Sequence, residues 1–205
     1  MAKEKAYEET CAQLVLIDEG TYHYHLEKEL MIACPISIHG AGQDRTILQG
    51  YGFEIKGTYF QGTKEEGKRV DMQGMTMKGS SDHGLFNENG LSFVCKDMTF
   101  TQCGGYSGVY AQNTKGRLIN CVITQCKWSG IECGKNALIE VEGDQTKVDG
   151  NVTRGNGYGY GLKTYSTSSI IHLLFPLTQE SVSTNNHGGR NYRSGGTIET
   201  VDSFA

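Results

Sequence analysis

The chain has 205 residues, of which 28 are glycine and 2 are proline, and it carries 19 basic against 23 acidic side chains, a net charge of −4. This length suits one domain with a continuous core. The mild charge excludes the basic face that binds nucleic acid or anionic membrane without sequence preference. No apolar run reaches the roughly 18 residues of a membrane span, and the charged N-terminus lacks a signal-peptide core. We therefore expect neither nucleic acid nor membrane as a partner, and the seven cysteines are expected to be reduced.

Short strands separated by glycine turns are predicted for the first part of the chain. Residues 14–22 are typical of a strand that runs into a turn, and residues 36–50 of a strand, a glycine turn and a second strand. His23 and His25 stand two residues apart on one such segment, a spacing that can hold a metal ion. Because no third ligand accompanies these two histidines, we expect a polar strand face there and no metal.

A glycine followed by an aliphatic residue recurs through the middle of the chain. Successive copies lie 24, 22 and 31 residues apart, at Gly84-Leu85, Gly108-Val109, Gly130-Ile131 and Gly161-Leu162. A second strand-like element keeps the same spacing, because residues 75–78, 98–101 and 121–124 are 23 residues apart. Two elements in phase at this period predict a stacked solenoid, in which only the stack buries a continuous core.

The first coils resemble those of a known superfamily. Residues 20–22 read Gly-Thr-Tyr, and residues 36–50 combine an apolar-Gly-x-Gly turn with a Thr-Ile-Leu strand. These motifs resemble the first coils of pectate-lyase-like right-handed parallel β-helix proteins, and the later coils are similar to the generic repeats of that superfamily. The resemblance implies an all-β, right-handed parallel β-helix of about six to seven coils with capped ends. We expect a single domain over residues 1–205, with an N-terminal cap at 1–13, coils at 14–175, and a C-terminal loop and last strand at 176–205.

Alternation along each strand predicts which side chains face outward. The aliphatic residues after the recurring glycines should point inward, so the next residue of each strand should point outward. That outward column is Phe86, Tyr110, Glu132 and Lys163. Because neighbours in a parallel stack lie about 4.8 Å apart, two aromatic rings beside an acid and a base could bind a sugar by stacking and hydrogen bonding. The alternative is an ordinary exposed sheet face with an ion pair.

Catalytic groups are sparse in the sequence. The resemblance implies enzymes that cut or epimerise acidic polysaccharides, in which lyases use a base with Ca²⁺ or basic groups and hydrolases use paired carboxylates. No Asp-Asp pair is present, and no two carboxylates occupy adjacent members of one outward column. The candidates for acid–base chemistry are Asp82 and His83, with Lys78 and Glu132. The alternative is a solvated turn in which Asp82 caps backbone N–H groups.

Three functions are compatible with these observations. The first is a non-catalytic β-helix that binds a polysaccharide or a protein, or that has a structural role. The second is a polysaccharide lyase or related uronide-acting enzyme, the only case that would require Ca²⁺. The third is an intracellular platform for protein interactions. The missing carboxylate set favours the first, without a cofactor. Exposed solenoid ends would also favour a homo-oligomer.

Overall fold

The chain folds as a right-handed parallel β-helix, as the sequence predicts. The computed structural model describes residues 14–23, 29–50, 52–56, 69–89, 91–153 and 158–202. Every strand pairing within these ranges is parallel. The described ranges contain no helix that is both long and apolar enough to cross a membrane.

The described residues form twenty strands and one short helix. In chain order the strands are β1 (Leu14–Ile17), β2 (Gly20–His23), β3 (Leu30–Ile32), β4 (Ile36–Gly40), β5 (Thr46–Gln49), β6 (Phe53–Lys56), β7 (Arg69–Lys78), β8 (Leu85–Glu88), β9 (Ser92–Thr101), β10 (Val109–Gln112), β11 (Lys115–Ile119), β12 (Val122–Thr124), β13 (Ile131–Gly134), β14 (Leu138–Glu142), β15 (Lys147–Asp149), β16 (Leu162–Thr164), β17 (Ile170–Leu174), β18 (Ser183–Thr184), β19 (Tyr192–Ser194) and β20 (Thr197–Val201). Helix α1 (Gln179–Val182) and a 3₁₀ turn (His187–Gly189) lie near the C-terminus.

The strands line three faces of the solenoid. Sheet B has seven strands in the order β19-β16-β13-β10-β8-β6-β3, one for each of seven coils. Sheet A has thirteen strands in two arms. One arm runs β1-β4-β7-β9-β11-β14-β17-β20, and the other contains β2 and β5 at one end and β12, β15 and β18 at the other. The long strands β7 and β9 join the arms, because their first and second halves pair with different partners.

A column of left-handed residues separates the two arms of sheet A. Gly74, Asp97, Asn120 and Gly143 follow one another at intervals of 23 residues and have φ angles of 66°, 50°, 50° and 88°. Glycine adopts this conformation without steric cost, and asparagine and aspartate tolerate it better than other residues do. The residue types at this column therefore set where each coil bends.

The predicted inward column is confirmed. Leu85, Val109, Ile131 and Leu162 stack in register and are fully buried. The glycine before each of them is required by packing: a Cβ at Gly108 would overlap Ile123. Phe86, Tyr110, Glu132 and Lys163 form the adjacent outward column of sheet B.

The C-terminal segment contributes more than the loop and last strand that the sequence predicts. The last strand is present as β20, but β18 and β19 also continue the stack, on β15 and β16. The polar and glycine-rich composition of residues 185–196 gives no sequence signal for β19. The side chains of β19 are exposed, and the strand is held by in-register backbone pairing. The predicted cap at 1–13 lies outside the described residues.

The cysteines within the described residues divide into two groups. Cys95, Cys103, Cys121, Cys126 and Cys133 are free and buried in the core, as predicted. Cys34 is disulfide-bonded, so the prediction of reduced cysteines is wrong at this position. Cys34 lies in the turn between β3 and β4 and is only partly buried, away from the core columns in which the other thiols act as small apolar side chains.

Replacement of Ile131 by Asp should unfold the stack. Ile131 is completely buried between Val109 and Leu162, so the variant would place an unpaired carboxylate in the core and lose about 4 kcal/mol or more of unfolding free energy. Chemical denaturation followed by circular dichroism measures the loss. Lys147→Asp on the exposed side of β15 is the matched control, and equal stability of the two variants would contradict the assigned register.

Candidate functional site

A ladder of aromatic side chains follows the solenoid axis along sheet B and the turns that lead into it. Tyr106 and Trp128 have ring centroids 5.6 Å apart, and Trp128 and Tyr158 are 6.4 Å apart. Tyr106 is 49% exposed and Tyr158 is 66% exposed. Beside them, Phe86 and Tyr110 stack at 5.4 Å with an interplanar angle of 11°. We call these five residues, together with His83, the aromatic lane.

Backbone hydrogen bonds between successive turns place the aromatic lane. The amide of Tyr106 donates to the carbonyl of Asp82 at 3.3 Å, and the amide of Trp128 donates to the carbonyl of Tyr106 at 3.3 Å. Each turn therefore repeats the position of the previous one, as the strands do. Side chains 22 to 24 residues apart in the chain become neighbours in space.

His83 lies at the centre of the lane. Its imidazole stacks on Phe86 and Tyr106 at 5.2 Å and on Tyr110 at 5.4 Å. Its Nδ1 accepts a hydrogen bond from the amide of Ser107 at 3.3 Å. Burial lowers the pKa of His83, while the charges of Asp82 and Glu132 oppose this shift. The imidazole is therefore neutral at pH 7.

A buried ion pair lies under the C-terminal half of the lane. Glu132 accepts a hydrogen bond from Lys163 Nζ at 3.1 Å and a short one from Ser107 Oγ. The side chains of Glu132 and Lys163 are only 5% and 8% exposed. Lys163 Nζ also lies 3.8 Å from the ring centroid of Tyr165. Burial, together with a hydrogen bond to Glu132 and the charge of that residue, raises the pKa of Tyr165.

Three carboxylates meet at the N-terminal end of the lane, which we call the acid corner: Glu29, Glu54 and Asp82. Burial, followed by the charges of Asp82 and Glu54, raises the pKa of Glu29 from 4.5 to about 7. The nearby backbone amide of His83 and the charge of Lys56 oppose this shift. Among the described residues, Glu29 Oε1 and Asp82 Oδ1 are buried and have no hydrogen-bond partner. A carboxyl group with a pKa near neutrality, beside other carboxyl groups, is an arrangement found in acid–base catalysis.

The opposite end of the lane is basic. The guanidinium carbons of Arg190 and Arg193 lie 5.4 and 5.7 Å from the ring centroid of Tyr160. Arg193 follows Lys163 in the outward column. From β6 to β19 the surface crosses five strand spacings, or about 24 Å along the axis. It therefore has room for several sugar rings between an acidic and a basic end.

The structure brings some of the sequence-predicted site residues together. Phe86 and Tyr110 lie in the lane as predicted, and Asp82 and His83 lie beside them. The expectation of an exposed charged pair is wrong, because Glu132 and Lys163 neutralise each other beneath the surface.

The remaining predicted residues lie elsewhere. Lys78 belongs to sheet A, between Gln49 and Thr101, because the chain turns a corner before Asp82. His23 is exposed on β2, and His25 lies outside the described residues. Within the described ranges, no three His, Cys, Asp or Glu side chains are placed to hold a metal ion.

Sequence reasoning missed the turn residues. Tyr106 and Trp128 are 22 residues apart, the same interval as Gly108 and Gly130, so extending the repeat into the turns could have found them. Glu29 has no such signal. It precedes β3, and its neighbours in the acid corner come from two other coils.

Comparison with known proteins supports the fold. No protein-family model matches the chain, and no curated protein matches it. Among solved structures, the chain is similar to the catalytic domain of a GH87 alpha-1,3-glucanase variant in complex with tetrasaccharides, with a TM-score of 0.52 and 11% sequence identity. The match covers 93% of this chain and 35% of that chain. A likeness at this identity supports the β-helix alone, and the narrower resemblance to pectate-lyase-like proteins stays a prediction.

The acid corner should make stability depend on pH. Because the pKa of Glu29 is raised to about 7, the protonated carboxyl is favoured in the fold, and the stability it contributes below pH 4.5 is lost as the pH rises through 7. Glu29→Gln cannot ionise, so it should be more stable than the native chain at pH 8 by about 1–2 kcal/mol, with the partial exposure of the carboxyl allowed for. Urea denaturation between pH 4 and pH 8 measures this difference. Glu140→Gln on sheet A is the control, and identical pH profiles for Glu29→Gln and the native chain would contradict the assignment.

Proposed function

We propose that the protein binds a polysaccharide along the aromatic lane, as a non-catalytic β-helix. The observation that carries the proposal is the ladder of Tyr106, Trp128 and Tyr158, whose rings succeed one another at 5.6 and 6.4 Å. Tyr106 and Tyr158 are exposed, and Trp128 between them is partly buried, with its ring tilted by 50° against that of Tyr106. The C–H faces of sugar rings stack on such exposed aromatic surface. The repetition of these aromatic rings at coil spacing suits a ligand that is itself a repeating chain.

Polar groups beside the lane supply partners for sugar hydroxyls. Gln112 donates to Glu88 at 2.6 Å and accepts from the hydroxyl of Tyr110 at 2.9 Å. Asp82 and Arg193 border the lane at its acidic and basic ends. An apolar platform with a few fixed polar groups is the usual composition of a ligand site, in which the polar groups set orientation.

The lane is held in place before any ligand arrives. Ser107 connects His83 to Glu132, and Glu132 is held by Lys163. These contacts are buried, so the turn that carries Tyr106 has little freedom to lose on binding. A preorganised surface costs less ordering free energy when a ligand binds.

The structural neighbour adds support by analogy. The GH87 alpha-1,3-glucanase domain was solved with tetrasaccharides, so a β-helix of similar shape accommodates a glycan. Because one fold hosts many functions, the analogy supports the class of ligand and leaves the site to be argued from this chain's residues.

Loss of one ring of the lane should weaken glycan binding. Trp128 is the single tryptophan, so its fluorescence reports binding to α-1,3-glucan oligosaccharides, laminarin, pectate and alginate. Tyr106→Ala should reduce affinity about 2- to 10-fold, since a stacked ring contributes about 0.5–1.5 kcal/mol. Phe175→Ala removes an aromatic ring that is 65% exposed beyond the end of β17, and serves as the control. Absence of binding to every glycan, or equal loss in both variants, would contradict the proposal.

A second candidate function is cleavage of the bound glycan at the acid corner. Glu29, with a pKa of about 7, would protonate the leaving oxygen, and the side chain of Asp82 would act as base or nucleophile. Glycoside hydrolases need a division between one protonated and one ionised carboxyl group. The raised pKa of Glu29 beside Asp82 is the observation that favours this candidate.

Release of reducing ends from the same glycans tests the second candidate. Glu29→Gln and Asp82→Asn should each lower the rate by at least about 100-fold, in line with the loss of an acid or base, while Trp128 fluorescence still reports binding. Glu140→Gln is the control. Binding without product would leave the non-catalytic function alone, and unsaturated products that absorb in the ultraviolet would indicate a lyase.

A further inference from the structure

His83 is packed where a change of its charge would disturb the whole lane. Its side chain is 12% exposed, and its ring is within 5.4 Å of the rings of Phe86, Tyr106 and Tyr110, at interplanar angles of 15° to 21°. These rings come from the strand that follows His83 and from the next coil. Any movement of the imidazole is therefore passed directly to three members of the lane.

One hydrogen bond fixes the protonation state of His83. Nδ1 accepts from the amide of Ser107 at 3.3 Å, so Nδ1 carries no proton and the ring proton is on Nε2. Nε2 lies 3.9 Å from Asp82 Oδ1. An imidazolium has N–H groups at both positions and accepts no hydrogen bond. Protonation of His83 therefore removes the acceptor of the Ser107 amide.

Ser107 transmits this loss to the rest of the site. Ser107 is fully buried. Its carbonyl accepts a hydrogen bond from the amide of Gly84 at 3.2 Å, and its hydroxyl donates one to Glu132. A buried amide without an acceptor is costly, so the turn that contains Tyr106 and Ser107 must move. The ring of Tyr106, in the same turn, lies 5.6 Å from that of Trp128, so displacement of the turn would alter this contact.

Charged groups from several elements act on His83. Asp82 is in the same turn, and Glu132 comes from β13; both favour the imidazolium. Glu29, before β3, lies by the backbone amide of His83. A backbone hydrogen bond with Ser107 opposes the lowering as the two carboxylates do, and burial outweighs all three, so the pKa of His83 is lowered from 6.5. The neutral ring is thus the resting state at pH 7, and a fall in pH charges it.

We propose that protonation of His83 opens the aromatic lane, so that the protein releases its glycan on acidification. The release of glycan rests on the proposed function, whereas the opening of the lane does not require a ligand. The pH-sensitive contact is the hydrogen bond between the imidazole of His83 and the backbone amide of Ser107, which we call the clasp. It makes the binding surface sensitive to pH without a metal or a cofactor.

Spectroscopy of the full chain without ligand tests the clasp. We use a Glu29→Gln background, because Glu29 titrates nearby, and follow the His83 ring and the Ser107 amide by nitrogen-15 NMR together with Trp128 fluorescence. All three should change with one midpoint below pH 6.5. His83→Asn keeps an acceptor near the Nδ1 position and does not titrate, so its Ser107 and Trp128 signals should stay constant over that range.

The outcomes separate the clasp from the proposed function. If the Ser107 and Trp128 signals stay constant while His83 titrates, the clasp is wrong. If they follow His83 and the glycan affinity of the native chain falls at least about 10-fold below the midpoint, both proposals stand. If the signals follow His83 and no glycan binds at any pH, the clasp stands and the proposed function fails.

Discussion

Parallel in-register hydrogen bonding between coils is the constraint on which the rest of this structure depends. Each coil repeats the backbone path of the one before it, so residues 22 to 24 positions apart in the chain lie about one strand spacing apart. The chemistry of the surface therefore comes in columns and not in single residues. A side chain at one position forms part of a binding site only when the neighbouring side chains in its column have compatible chemistry.

The buried ion pair on the outer face of sheet B has both a cost and a structural consequence. Glu132 and Lys163 face outward, where charges normally meet water, yet both are buried. Burial of an ion pair costs desolvation that good geometry only offsets. Here the pair also fixes Ser107, which in turn holds His83. The buried pair costs desolvation free energy, but it fixes the positions of the side chains next to the aromatic rings.

The surface along sheet B is acidic at one end and basic at the other. Burial, followed by the charges of Asp82 and Glu54, raises the pKa of Glu29 in the acid corner to about 7. The arginines at the other end surround Tyr160. Between them, neutral aromatic rings provide area without charge. A glycan that lies along this path would meet acid chemistry at one end and hydrogen-bond donors at the other, and so would bind in one direction.

The sequence by itself determined the solenoid, its register and the outward positions of Phe86 and Tyr110. It could do so because strand alternation and a regular repeat are local, and because glycines such as Gly108 are required wherever coils approach closely. Only the tertiary structure decided that Glu132 and Lys163 are buried, that Glu29 meets Asp82, and that turn residues complete the aromatic lane. Turns differ in length from coil to coil, so the distances between their side chains follow from packing across coils and not from position in the chain. The same packing sets local burial, and burial is what shifts the pKa values of Glu29 and His83.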